Sequence, residues 1–143
     1  MFIKQLSVFV ENKSGRLAEI AAILAKANID IRALSIADTT DFGILRLVVD
    51  KPAEAEKTLK DAGHTVALTD VLAVGIPDRP GGFASAMKVL AQENISIEYM
   101  YAFVSRVVDR AYMIMRVKDN KQACEVLEKN GFEILKEENV YKM

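Results

Sequence analysis

Val10-Glu11-Asn12-Lys13-Ser14-Gly15-Arg16-Leu17-Ala18 is a stretch that this chain contains twice, the second time as Ile76-Pro77-Asp78-Arg79-Pro80-Gly81-Gly82-Phe83-Ala84. The correspondence continues without a gap to Asn28-Ile29-Asp30-Ile31 in the first copy and to Asn94-Ile95-Ser96-Ile97 in the second. A further block, from Leu45 to Gly63, returns as Met113 to Gly131. A period of about seventy residues is too long for a solenoid unit and predicts two copies of one small domain. We expect a site built between two such equal domains.

The length of the chain agrees with two very small domains. It has 143 residues, which we expect to divide into domains at 1–70 and 71–143. A unit of about 70 residues buries only about 60% of its unfolded surface and is marginal alone, so two fused units that share an interface stabilise each other. Hydrophobic residues make up 51% and charged residues 27% of the chain, as in a soluble globular protein.

Charge and composition exclude several classes of function. Lys and Arg number 19 and Asp and Glu 20, which gives no electrostatic case for nucleic acid or an anionic membrane as a partner. No apolar run approaches the about 20 residues that span a bilayer, and residues 1–6 begin a strand pattern and not a signal peptide. The single Cys124 excludes an internal disulfide framework and a Cys-rich zinc site. We expect a cytoplasmic protein without metal or cofactor.

Each repeat has a hydrophobic pattern in the order β-α-β-β-α-β. The first repeat predicts helices that bury Leu17, Ile20, Ala21 and Leu24, then Ala55 and Leu59, and strands at Ile3–Val10, Ile31–Ala37, Ile44–Val49 and Thr65–Leu68. The second repeat predicts helices at Gly82–Gln92 and Lys121–Lys129 and strands at Val71–Ile76, Ile97–Val104, Ala111–Val117 and Glu133–Tyr141. The turn and helix-end signals are Asn28, Thr39-Thr40-Asp41, Gly63 and Gly131. The fold class is α+β, with two ferredoxin-like sandwiches that carry helices on one face of an antiparallel sheet.

The strands are apolar on both faces. In the third strand, Leu45, Leu47 and Val49 alternate with Ile44 and Val48. Only one face of a sheet can lie under the helices, so the other face needs a cover. The partner repeat is one candidate, and a second chain is the other, which would make the protein a homodimer.

The junction between first strand and first helix is the best candidate for a binding site. In both repeats, a polar turn that contains Gly15 or Gly81 ends the strand and opens the helix. The free N–H groups and positive dipole end of a helix start favour a carboxylate or phosphate. Asn12 or Asp78 can accept from an ammonium group, so the junction suits a small zwitterion. A well-made turn and helix cap, without a ligand, explains the same residues.

These junctions resemble a known signature. Asp78-Arg79-Pro80-Gly81-Gly82-Phe83, followed by Asn94-Ile95-Ser96-Ile97, resembles the ACT domain, and Asn12-Lys13-Ser14-Gly15-Arg16-Leu17 with Asn28-Ile29-Asp30-Ile31 resembles it again. The resemblance covers essentially the whole chain as two ACT domains. It implies a regulatory module that binds amino acids and reports to an enzyme or transcription factor. It also implies that two domains pair through their second strands into one eight-stranded sheet.

The resemblance further implies that ligand lies between the first loop of one domain and the second strand of the other. One site would combine Ser96 with Asn12, Lys13, Ser14, Gly15, Arg16 and Leu17, and the other would combine Asp30 with Asp78, Arg79, Pro80, Gly81, Gly82 and Phe83. The sites differ, because Asp30 is an anion where Ser96 is neutral, and Arg16 stands where the second repeat has Gly82. We expect the two sites to differ in affinity, up to occupancy of only one of them.

The function that follows is an allosteric sensor of a free amino acid, without catalytic activity of its own. Its output would pass to another protein, such as an amino-acid biosynthetic enzyme. The alternative is a structural or regulatory subunit that acts through protein contact and whose pockets are vestigial. A small ferredoxin-like enzyme is a third hypothesis, against which the scarcity of His and Cys argues. We expect His64 to be an exposed loop side chain, Cys124 to be a small packed side chain, and Tyr99, Tyr101 and Phe103 to serve packing.

Overall fold

The computed structural model describes residues 2–11, 13–38, 41–103 and 107–142, with seven strands and five helices. The strands are β1 Ile3–Glu11, β2 Ile31–Asp38, β3 Phe42–Val49, β4 Val66–Pro77, β5 Ile97–Ala102, β6 Arg110–Val117 and β7 Glu133–Ile134. The helices are α1 Arg16–Lys26, α2 Pro52–Asp61, α3 Gly82–Gln92, α4 Asn120–Lys129 and α5 Glu137–Lys142. The chain divides into two compact units: the first unit is residues 4–69, and the second unit is residues 2–3 and 70–141.

The first unit is an antiparallel sheet with α1 and α2 packed on one face. β3 pairs with β1 on one side and with β2 on the other. Alternate strand residues face the helices, because side chains alternate across a strand. The core on that face consists of Leu6, Val8, Val10, Ile20, Leu24, Ile29, Leu45, Leu47, Val49, Ala55, Leu59 and Val66. Of the expected helix core positions, Leu17 is 45% exposed and Ala21 is also exposed, so the prediction of burial was wrong for these two.

The second unit repeats this arrangement. β6 pairs antiparallel with β4 and with β5, and β4 also pairs with β7. The core under α3 and α4 consists of Leu72, Val74, Ile76, Ala86, Leu90, Met115, Val117, Ala123 and Leu127. Asn94 ends α3 in the left-handed conformation with φ 57°, as Asn28 ends α1 with φ 58°. The predicted helix end at Asn28 is therefore confirmed, and Asn94 is its counterpart in the second unit, since asparagine is one of the few residues that tolerate this conformation.

Two predicted strand boundaries differ from the structure. The strands expected at Thr65–Leu68 and Val71–Ile76 form one strand, β4, so the eight expected segments make seven strands. The strand expected at Glu133–Tyr141 was wrong, because β7 ends at Ile134 and α5 begins at Glu137. Two acidic residues in the first turn of α5 favour a helix start there, whereas the apolar residues of this segment had suggested a continued strand. The side-by-side pairing of the two sheets stays a prediction.

The sheet faces away from the helices are largely buried in the single chain. Val48 in the first unit and Ile114 in the second are both 0% exposed. Two exposed apolar side chains of the first unit, Phe9 and Phe42, do lie on this face, whereas Leu34 and Ile36 lie on the helix side of the edge strand β2. Each of these four side chains is more than half exposed. Among the described residues, no helix combines the length and apolar character that crossing a bilayer requires.

Candidate functional site

The two strand-to-helix junctions have nearly identical backbones. Gly15 precedes α1 with φ 88° and ψ −10°, and Gly81 precedes α3 with φ 88° and ψ −13°. The turns also match in their hydrogen bonds: the amide of Arg16 donates to the carbonyl of Lys13 (3.3 Å), and that of Gly82 to the carbonyl of Arg79 (3.0 Å). These left-handed conformations favour glycine, because a side chain at such a φ is strained.

Glycine at these positions leaves both helix starts without a side-chain cap. An N-cap side chain normally accepts a hydrogen bond from the second or third helical amide. The start of α4 shows that arrangement, since Asp119 Oδ1 accepts from the amide of Gln122 at 3.1 Å. In the part of the chain that the structure describes, no side chain caps α1 or α3. These helix starts can therefore accept an external carboxylate or phosphate.

A crevice lies beside each junction, at equivalent places in the two units. The first crevice has a volume of about 440 Å³ and is lined by Phe9, Val10, Glu11, Arg16, Glu19, Phe42, Ala62, Gly63, His64 and Thr65. The second crevice has a volume of about 550 Å³ and is lined by Gly75, Pro77, Arg79, Pro80, Gly81, Gly82, Ser85, Asp109, Arg110, Asn130, Gly131 and Phe132. Each crevice lies within one unit, between the first loop, the start of the third strand of the repeat and the end of its second helix.

Charged side chains pair with one another along the first crevice. Glu11 contacts Lys13 at 3.0 Å and Arg16 at 3.8 Å, and Arg16 contacts Glu19 at 3.2 Å. The hydrogen bond from Lys13 lowers the pKa of Glu11, and the charges of Lys13 and Arg16 lower it further. The side chain of His64 is only 13% exposed and its Nε2 lies 3.7 Å from Glu19 Oε1, so the expectation of an exposed loop side chain was wrong.

The second crevice carries different residues at the matching positions. Pro77, Gly82 and Ser85 replace Glu11, Arg16 and Glu19. A Cβ atom on Gly82 would overlap the carbonyl oxygen of Pro77, so the turn is closed more tightly than a side chain would allow. The Ser85 hydroxyl donates to the carbonyl of Gly81 at 3.0 Å.

A polar group in β6 and β7 adjoins the second crevice. Tyr112 donates its hydroxyl proton to Glu133 at 2.9 Å, and Arg110 lies 3.9 Å from the same carboxylate oxygen. Burial raises the pKa of Tyr112, and the hydrogen bond to Glu133 raises it further. Both side chains crowd Gly75, where an added Cβ would lie 2.8 Å from Glu133 Oε1. The first unit has Phe9, Ile44 and Thr65 at the places of Gly75, Tyr112 and Glu133.

The other predicted site residues lie at the far end of each sheet. In the first unit, Glu11 pairs with Phe42 and Ile31 pairs with Val49, at opposite ends of the eight-residue β3. At about 3.3 Å per residue, the first loop and the second-strand start are about 23 Å apart along that strand. The second unit has the same geometry, since Pro77 pairs with Arg110 and Ile97 with Val117. No single unit therefore brings its own loop and second-strand start together, and the expected sites that combine the two repeats stay predictions.

Individual predicted residues have the following surroundings. Asp30 donates its amide to Asp50 Oδ1 at 2.9 Å and its carboxylate lies 3.3 Å from Arg32. Ser96 lines a separate cavity of about 830 Å³ with Asn94, Ile95 and the residues of 118–122. Leu17 and Phe83 are 45% and 49% exposed beside their loops. Asn12 lies outside the described residues, as do Thr39 and Thr40 of the predicted hairpin turn.

The sequence prediction missed several residues that line the crevices. Glu11, Glu19 and His64 in the first unit, and Ser85, Asn130 and Phe132 in the second, were not among the predicted site residues. Their positions match between the repeats, so a position-by-position comparison of the two copies was the signal that could have found them.

The remaining chemical candidates do not form a reactive site. Burial, together with the hydrogen bond to Glu128, raises the pKa of Cys124 to about 12, which leaves the thiol protonated and unreactive. Tyr101 and Phe103 are 9% and 8% exposed, so they are packed and do not offer a base-stacking surface. Among the described residues, no group of three His, Cys, Asp or Glu side chains is placed to hold a metal ion.

Comparisons with known proteins agree with this geometry. A family model described as an ACT domain pair matches residues 1–143. A solved structure of a protein from Bacteroides thetaiotaomicron is 42% identical, with a TM-score of 0.94 and coverage of 100% of this chain and 98% of that one. No curated protein matches the chain.

Two solved regulatory subunits of aspartate kinase share the fold. The ligand-free subunit from Thermus thermophilus is 18% identical, with a TM-score of 0.69 and coverage of 92% of this chain and 94% of that chain. The subunit from Thermus flavus is also 18% identical, with a TM-score of 0.63 and coverage of 90% and 92%.

Proposed function

The chain belongs to the ACT domain pair family, and from this premise we propose that it is a regulatory sensor of a free amino acid. The observation that carries the proposal is the pair of helix starts, at Gly15 and Gly81, that have no side-chain cap and adjoin a crevice. Amides left without an acceptor at a helix start, together with the helix dipole, attract an anionic group. The α-carboxylate of an amino acid meets that requirement.

The other end of an amino acid needs an anion. Asp78 follows β4 directly, its side chain is exposed, and it has no ion-pair partner in the described part of the chain. A ligand carboxylate at the start of α3 thus places the ammonium group within reach of a free acidic side chain on the same loop. Asn12 and Asp30 are the further candidates for the ammonium group. The ligand side chain then determines which amino acid is preferred.

The output of such a sensor requires a second protein. A ligand that binds one of two states more tightly shifts the protein toward that state, and it changes the affinity for a partner by the same coupling free energy. The two solved proteins with this fold are regulatory subunits of aspartate kinase, which supports an amino-acid biosynthetic enzyme as partner. We infer a cytoplasmic, non-catalytic protein that acts without nucleic acid, membrane or cofactor.

We also infer that the protein forms a homodimer. β2 pairs only with β3 among the strands of the first unit that the structure describes, so its other edge is unpaired within that unit. Leu34 and Ile36 are each 52% exposed on this edge strand. An exposed apolar edge is a template for pairing with another strand, which supports β2 as the dimer contact.

A second candidate function has its own supporting observation. Phe9 and Phe42 are 56% and 54% exposed on neighbouring strands of the first unit, where the second unit has Gly75 and Arg110. Such side chains favour protein contact. A subunit that acts only by assembly, with vestigial pockets, would use these side chains and ignore amino acids.

Thermal unfolding with each of the twenty amino acids at millimolar concentration tests the sensor. Ligand at 100 times its dissociation constant adds about 2.7 kcal/mol, which corresponds to several degrees for a chain of this size. Asp78→Asn should reduce the shift, while Asp61→Asn, a matched change on α2, should leave it intact. A flat panel contradicts the sensor and favours the assembly subunit.

A further inference from the structure

We infer that the first crevice is closed to a ligand carboxylate by its own acidic side chains, so that each chain binds one amino acid, in the second crevice. This inference rests on the proposed sensor function and assigns Gly75, Ser85, Arg110, Asn130 and Phe132 to the binding site. It also assigns Glu11 and Glu19 the role of excluding ligand from the first crevice.

The two crevices share a backbone and differ in side chains, which makes them a natural comparison. The flanking glycines differ by no more than a few degrees, with φ 88° in both and ψ of −10° and −13°. A ligand that fits one junction by its backbone geometry therefore fits the other. Selection between them must come from the side chains.

Two carboxylates line the first crevice at the places where the second has none. Glu11 and Glu19 both line it, and their counterparts Pro77 and Ser85 are uncharged. The pKa of Glu11 is lowered by the hydrogen bond from Lys13, so its negative charge persists at neutral pH. Both carboxylates pair with the nearby cations Lys13 and Arg16, so a ligand carboxylate that approaches the start of α1 finds those cations already engaged.

The cation of the first crevice is already engaged. Arg16 contacts Glu19 at 3.2 Å and Glu11 at 3.8 Å, so its charge is compensated within the unit. The Arg16 side chain also occupies space, in agreement with the smaller volume of the first crevice, which is about 440 Å³ against about 550 Å³ for the second. Gly82 at the matching position contributes neither volume nor charge.

The second crevice offers the complementary chemistry. Arg79 lines it and has no ion-pair partner among the described residues, whereas its counterpart Lys13 pairs with Glu11 at 3.0 Å. Arg110 also lines it and lies 3.9 Å from Glu133, too far for a strong pair. Two guanidinium groups and the uncapped start of α3 suit a carboxylate, and the exposed Asp109 on the rim suits an ammonium group.

The test is isothermal titration calorimetry with the amino acid that gives the largest melting shift among the twenty. The wild-type chain should bind one molecule per chain. Ser85→Glu places a carboxylate at the counterpart of Glu19, while Ser85→Gln has nearly the same size without the charge. We expect Ser85→Glu to bind about tenfold more weakly than Ser85→Gln, which is the effect of one charge at close range.

The reciprocal variant opens the first crevice. Glu11→Ala, Arg16→Gly and Glu19→Ser in one chain should raise the stoichiometry from one molecule to two per chain, with circular dichroism as the check that all variants are folded. Two molecules per wild-type chain, equal affinities for the two Ser85 variants, or one molecule on the triple variant each overturn the inference and leave the sensor intact. The absence of binding by the wild-type chain overturns the sensor and the inference together.

Discussion

Replacing Gly82 by alanine should destabilise the protein more than replacing Gly81, although Gly81 is the residue with the positive φ. Gly81 has φ 88°, but a Cβ there meets no atom within 4 Å. Gly82 has ordinary helical geometry, but a Cβ there overlaps the carbonyl oxygen of Pro77, which accepts a hydrogen bond from the amide of Arg79 at 3.0 Å. The backbone of the turn must move to admit the methyl group.

The two costs have different origins. For Gly82→Ala, overpacking against a backbone atom costs about 1–3 kcal/mol and loss of the turn hydrogen bond about 1 kcal/mol. The better helix propensity of alanine offsets about 0.5–1 kcal/mol, which leaves a net loss of about 1.5–3 kcal/mol. For Gly81→Ala, the left-handed backbone costs about 1–2 kcal/mol, and the smaller entropy of the unfolded chain offsets about half of that.

Urea denaturation followed by circular dichroism measures both changes, since the chain has no tryptophan to report by fluorescence. Arg16→Ala, at the matching position of the first unit, is the control, and we expect a change within about 0.5 kcal/mol. If Gly82→Ala unfolds at the same urea concentration as the wild type, or at a higher one than Gly81→Ala, the steric reasoning is refuted.

Three further predictions concern single groups. Cys124, with its pKa near 12, should react with a thiol reagent at pH 8 orders of magnitude more slowly in the native state than in urea. Glu128→Gln should accelerate the native reaction, and equal rates in the native and unfolded states would contradict the burial of the thiol. Because the pKa of Tyr112 is raised in the folded state, its neutral form contributes to the free energy of unfolding below pH 10, and this contribution should fall as pH rises through the folded pKa. If an ultraviolet titration shows that Tyr112→Phe removes a tyrosine that ionises early, the hydrogen bond to Glu133 is contradicted. Asp119→Ala should cost about 0.5–2 kcal/mol in urea unfolding by removing the cap of α4, and an unchanged midpoint would mean that the cap does not contribute.

The repeat and its periodicity predicted most of the fold because both depend on local rules. Asn28, Gly63 and Gly131 end helices by the left-handed conformation that their residue types tolerate, and each sits where the sequence placed a helix end. The second repeat's α3 has the predicted bounds, Gly82–Gln92. These features depend on neighbouring residues in the sequence and not on contacts between residues that are distant in sequence.

The errors arose where a residue in the sequence is compatible with two different environments. Val140 is buried in α5, but its apolar character equally suited a longer final strand, and only the pairing of β7 with β4 reveals where that strand ends. His64 was expected in solvent because it follows a glycine, yet the side chain folds back towards Glu19 in α1. Contacts between residues distant in sequence decide such cases, and periodicity does not report them.

The duplication explains why the two crevices can differ in chemistry without a cost to the fold. The backbone of each unit depends on its glycine before the helix and on its buried core, and these are alike in both copies. The positions of Glu11 and Glu19 contribute exposed side chains on the crevice side, where an ion pair is worth only about 0–1 kcal/mol. We infer that substitution there changes which ligand is admitted while the free energy of unfolding stays nearly constant. Gly82 is the exception, because its substitution is predicted to disturb the turn itself, so the open crevice and the tight turn of the second unit are linked through a single residue.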